Sequence, residues 1–152
     1  MRLAVGLFCL LPMGAFAQGA WETWEDNGKT IAGICTADAE EICAAVFCDI
    51  ATASVQIAWI SPGAWTVQAG AKENLVLQIG GGETQVIAGE IAAAPGFSLE
   101  FYAVAGALSP SQINGLRASS AFSLGPQNGD LAALSLAGSS AAISRALGPS
   151  CG

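Results

Sequence analysis

Three cysteines crowd into residues 34–49 (ICTADAEEICAAVFCD), and another, Cys151, stands next to the last residue. A bridge between that cluster and Cys151 would tie the beginning of the fold to its end. The remaining cysteine, Cys9, lies in the opening segment MRLAVGLFCLLPMGAFA, which combines Arg2, an apolar run from Leu3 to Leu11 and the triplet Ala15-Phe16-Ala17. That is the plan of a secretory signal peptide with an A-x-A cleavage site. Pro12 and Gly14 end the run well short of the roughly 20 apolar residues that a membrane-spanning helix needs. Cys9 sits inside the run and follows Phe8, which argues against lipidation. Cleavage after Ala17 is expected, leaving 18–152 as one periplasmic or secreted domain without a transmembrane anchor.

Export delivers thiols to an oxidising compartment, so Cys35, Cys43, Cys48 and Cys151 are read as two disulfides. A zinc site would call for C-x-x-C spacing or histidine ligands. The gaps here are seven, four and 102 residues, and the protein has no histidine. Three connectivities are possible. If Thr30–Thr36 and Ile42–Asp49 pair as a hairpin, Cys35 lies opposite Cys43 and Cys48 is left for Cys151. A helix over Ala37–Phe47 would bring different sulfurs together.

Charge narrows the partners. After cleavage, Lys29, Lys72, Arg117 and Arg145 stand against twelve acids. Such a chain repels phosphate backbones and carries no basic cluster, so nucleic acid is excluded, and an anionic lipid surface with it.

The apolar pattern has a period of two. Asn27-Gly28 is a strong signal for a two-residue type I′ turn, so a strand beginning near Trp21 and the strand Thr30–Thr36 form an opening hairpin. In Ala53–Ile60, Val55, Ile57 and Trp59 alternate with Ser54, Gln56 and Ala58, which predicts one buried face. Ser61-Pro62-Gly63 breaks this strand and Glu73–Ile79 resumes. Gly80-Gly81-Gly82 turns the chain, Thr84–Ala88 returns, Ala92–Gly96 reads as loop, and Phe97–Val104 is a further strand with Phe97, Leu99 and Phe101 on one face. This succession implies a mainly β, antiparallel β-sandwich or barrel-like domain.

The last third changes character. Ser109-Pro110-Ser111-Gln112 is a capping box with proline at the first helical position, and Gly115 is expected to stop this short helix near 110–115. Ala121–Leu124 and Leu131–Leu136 read as strands. Ser139 or Ser140 can cap a C-terminal helix near 139–147, ended by Gly148-Pro149, with Ala142, Ile143, Ala146 and Leu147 on its buried face. The order of LSPSQINGLRAS, two short strands and Ser135-Leu136-Ala137-Gly138-Ser139-Ser140-Ala141-Ala142-Ile143 resembles the closing segment of the invasion-associated locus B family. The tryptophan-bearing opening hairpin followed by paired cysteines is similar in a looser way. The chain departs from the pattern at Ser139, where an aromatic residue often follows the glycine, and by adding Cys151. The resemblance implies an exported bacterial β-sheet domain, some relatives being linked to host-cell invasion, with no established reaction.

Catalytic motifs are missing. Glu22, Glu25, Asp26, Asp38, Glu40, Glu41 and Asp49 gather in the first third, yet no segment alternates oxygen ligands around a glycine as a calcium loop does. They read as solvated charge on hairpin tips. Without histidine the usual general base is lacking, Gly96-Phe97-Ser98 does not continue into a nucleophile elbow, and Cys43 and Cys48 are too far apart for a redox pair. No cofactor or metal is expected. What remains is a non-enzymatic binding or envelope-associated protein whose partner is a protein or an envelope component, with Trp21, Trp24 and Trp65 as its candidate binding surface. Trp21 and Trp24 are an odd number of residues apart and so face opposite sides of one strand. The competing readings are a histidine-free hydrolase built on two carboxylates and a purely structural envelope or stress-resistance protein.

Overall fold

The computed structural model describes residues 19–36, 42–61, 69–94 and 102–152. The expected signal peptide, the acids Asp38, Glu40 and Glu41, the turn at Pro62-Gly63, Trp65, and the expected strand residues Phe97, Leu99 and Phe101 lie outside them.

The opening hairpin is β1 (Glu22–Asp26) and β2 (Lys29–Cys35), joined by Asn27 and Gly28, both at positive φ (49° and 76°). Both central residues of a type I′ turn need that conformation. β3 (Cys43–Asp49) and β4 (Ser54–Ile60) follow, then β5 (Lys72–Ile79), β6 (Thr84–Ala93), β7 (Tyr102–Ala107), β8 (Ala121–Pro126) and β9 (Ala132–Ser135). All pair antiparallel in one nine-stranded sheet, in the order β1-β2-β3-β4-β7-β6-β5-β8-β9. The chain is therefore mainly β. β6 runs further than the sequence predicts: Ala92 and Ala93, expected in a loop, pair with Ala103 and Tyr102.

The sheet rolls up. Its first and last strands have no ladder between them, yet the N–H of Trp21, just before β1, donates to the carbonyl of Ala137, just after β9, at 2.8 Å. The two edges thus meet at one end of the roll.

Among the described residues, two helices complete the fold. α1 (Pro110–Ala118) carries the full capping box: Ser109 Oγ accepts from the Gln112 N–H at 3.3 Å, and Gln112 Oε1 accepts from the Ser109 N–H at 2.8 Å. It does not stop at Gly115. There the glycine admits the Ile79 side chain, whose Cδ1 would stand 3.0 Å from an added Cβ, so the residue marks a close approach and not a helix end. α2 (Ser139–Cys151) kinks at Gly148 (φ 53°, ψ −160°), where the expected break falls. Its N-cap is Gly138 rather than a serine. Ser139 is buried and its Oγ donates to the Leu116 carbonyl of α1 at 2.8 Å, which removes it from the cap.

The main core lies inside the roll, where Val46, Ile57, Trp59, Leu75, Leu77, Val104, Phe122 and Leu124 meet Ala142, Ile143, Ala146 and Leu147 of α2. A second cluster sits on the other face of β2, β3, β4 and β7: Ile31, Cys43, Ala45, Ala58, Ile60 and Ala103, with Trp24 and Phe47 packed against it. The single buried face predicted for β4 is thus a correction. Its C-terminal half is buried on both faces, because Ala58 and Ile60 are apolar as well as Ile57 and Trp59.

Candidate functional site

The four cysteines form two bridges on opposite faces of β3. Cys35 stands directly opposite Cys43 in the β2–β3 register, with Cα atoms 4.0 Å apart. The neighbouring pair is hydrogen-bonded, Thr36 N–H to Ile42 O at 2.8 Å. Cys35 and Cys43 therefore occupy a non-hydrogen-bonded position, where strands approach most closely. Cys48, an odd number of residues further on, points the other way and joins Cys151 of α2 across a sequence separation of 103, with Cα atoms 5.8 Å apart.

The tryptophans of the expected binding surface part company. Trp21 is only 5% exposed; its indole N–H donates to the Ser135 carbonyl at 2.8 Å, and its ring lies 5.9 Å from that of Phe122. Most of it belongs to the core, because the meeting of the two sheet edges covers it. Trp24 is half-buried on the outer face of β1 and spreads over Gly33, where a Cβ would meet the ring at 2.5 Å. Opposite-facing side chains at these two positions follow from the strand alternation.

Two acids of the first third, Asp49 and Glu25, serve local structure. Asp49 accepts from the Ala51 N–H and from Thr52 Oγ1 to shape the β3–β4 turn, and Glu25 accepts from Thr30 Oγ1 at 2.7 Å across the opening hairpin. Among the described residues no group of three His, Cys, Asp or Glu is placed to hold a metal ion. Among them, too, no helix is long and apolar enough to cross a membrane.

The concave feature with chemistry in it follows the outer edge of β1 where α2 runs alongside. A trough of about 250 Å³ is lined by Trp21, Thr23, Gly138, Ala141, Ala142 and Arg145. Arg145 also borders a neighbouring cavity of about 150 Å³, between the Gly28–Thr30 turn, Cys48, Ile50 and the last turn of α2. Its guanidinium donates to Thr23 Oγ1 at 3.3 Å. A third hollow, of about 210 Å³, lies beside β9 and is lined by Ser120, Ala121, Ala133, Leu134 and Ser135. No Asp or Glu lines any of these three. Sequence reasoning passed over Arg145 and Thr23. A signal was nevertheless present, since the positions one helical turn from Arg145 (Ala141, Ala142, Gly148, Pro149) offer it no acid.

A single rolled antiparallel sheet, crossed by a C-terminal helix and stapled on both faces of β3, defines the structural class. The chain matches no protein-family model and no curated protein. Among solved structures it is similar to the crystal structure of invasion associated protein B from Bartonella henselae, with a TM-score of 0.57 and 17% identity, covering 86% of this chain and 94% of that one. At that identity the likeness is one of fold.

Proposed function

We propose that this chain is an exported bacterial binding domain of the invasion-associated locus B type, acting without a catalytic centre on a protein or envelope component. Export is supported by the pattern of residues 1–17 and by two disulfides, which persist in oxidising compartments. On this reading cleavage after Ala17 releases 18–152 as one stapled domain. The fold shared with invasion associated protein B agrees with it.

The observation that carries the proposal is the lining of the α2–β1 trough. It offers a strand edge, a wall of small residues and a guanidinium, and no carboxylate. A carboxylate-based hydrolase would need two acids about 5–9.5 Å apart across a cleft. The test places a photo-crosslinking residue at Ala141, in the trough, and as a control at the exposed Val86 of β6, in the bacterium that exports the protein. A discrete adduct from position 141 and none from position 86 supports the proposal. Equal labelling at both positions, or turnover of a glycoside or ester by the purified protein, overturns it.

A further inference from the structure

Among the described residues, no strand takes up the outward hydrogen-bonding phase of β1 beside the trough. The type I′ turn closes on Asp26 and Lys29 as a hydrogen-bonded pair, so Trp24 and Glu22 bond to β2 while Thr23 and Glu25 direct their N–H and C=O groups away from it. Trp21, in the same outward phase, already shows what this edge does with a neighbour: its N–H donates to Ala137 O. Among the described residues no strand continues that pairing beyond Trp21. Strand edges of this kind take up extended peptides, main-chain hydrogen bonds supplying affinity and the flanking side chains supplying selectivity.

Arg145 sets the selectivity. A guanidinium has five N–H donors in a fork that fits a carboxylate. Among the described residues Arg145 bonds Thr23 Oγ1 and pairs with no acid, although the chain carries twelve; the ion pair found there is Lys72 with Glu90. The walls around it, Gly138, Ala141 and Ala142, are small residues that leave the guanidinium accessible from the trough.

Resting on the binding reading above, we propose that the trough takes an extended peptide which pairs with the outward-facing backbone groups of Thr23 and Glu25 and sets a carboxylate on Arg145. The carboxylate comes from a chain terminus or from an acidic side chain, and the test separates the two. The probes are the acetylated peptide Ala-Val-Thr-Val-Ala with a free C-terminus, its C-terminal amide, and an amide with Asp at the third position. Binding is followed through the NMR shifts of the Thr23 and Glu25 amides and the Arg145 side chain in the full disulfide-bonded domain. The free acid is expected to move these signals and the plain amide to bind about tenfold more weakly, the loss typical of a charge-assisted hydrogen bond. The Asp peptide regains that factor only if a side-chain carboxylate serves. Arg145→Gln should bring the acid down to the level of the amide, Arg145→Lys should restore part of the difference, and Arg117→Gln should change nothing. Equal binding of the free acid and both amides by the native protein, or signals that Arg145→Gln leaves untouched, overturns the proposal. If the adduct at position 141 still forms in that case, the trough remains a binding site and the carboxylate alone is removed.

Discussion

The indole N–H of Trp21 donates to the carbonyl of Ser135 across 114 positions of sequence, at 2.8 Å. Together with the Trp21–Ala137 backbone bond it closes the rolled sheet. Trp21→Phe keeps an aromatic ring against Phe122 but leaves the Ser135 carbonyl without its donor, and should cost about 1–2 kcal/mol. Trp21→Ala also removes the ring and should cost about 3–5 kcal/mol. Urea denaturation of the oxidised protein reads both, and a loss below 1 kcal/mol for the alanine variant would contradict the closure described.

The two disulfides should differ in worth. In the chain-entropy relation, closing a loop with a separation of 103 stabilises by about 4.7 kcal/mol and closing one of 8 by about 2.5 kcal/mol. Replacing Cys48 and Cys151 by serine should therefore destabilise more than replacing Cys35 and Cys43. Alkylation of the unreduced, unfolded chain should find no free thiol in residues 18–152.

Ser139 and Ser140 are adjacent serines with different tasks. Ser139→Ala removes the donor to the Leu116 carbonyl inside the α1–α2 contact and should cost about 1–2 kcal/mol. Ser140→Ala, on the exposed side, should fall within about 0.5 kcal/mol of the parent. Equal effects in thermal denaturation would return Ser140 to consideration as the cap.

Gly33→Ala tests the seat of Trp24. An added Cβ would stand 2.5 Å from the indole and 2.7 Å from the Ala44 carbonyl oxygen, so both the ring and the strand must give, at about 1–3 kcal/mol. Tryptophan fluorescence should shift together with the loss of stability. A neutral substitution would show that the ring does not rest there.

Much of the architecture was legible because its causes are local. Asn27-Gly28 sets the first turn through the φ values those residues accept, and Ser109, Pro110 and Gln112 cap α1 within four positions. What escaped the sequence depends on distant neighbours. Gly115 looks like a stop until Ile79 of β5 is seen filling the space beside it. Trp21 looks available for recognition until β9 arrives to cover it. The reach of β6 to Ala93 depends on pairing with β7, since alanines alone carry no strand preference. The trough was hidden for the same reason: Arg145 and Thr23 come together only when the last helix is laid along the first strand.

The placement of Cys151 also decides how the molecule responds to tension. Pulled at Gly19 and Gly152, the chain feels force at Cys151 almost as soon as it is applied, and the Cys48–Cys151 bond carries that force straight across to β3. Every residue between those two cysteines lies in a covalent loop that bears no load. Only the stretch ahead of Cys48 can be drawn out, and the Cys35–Cys43 bond shortens even that. Most of the sheet and both helices would stay unextended until a disulfide is reduced.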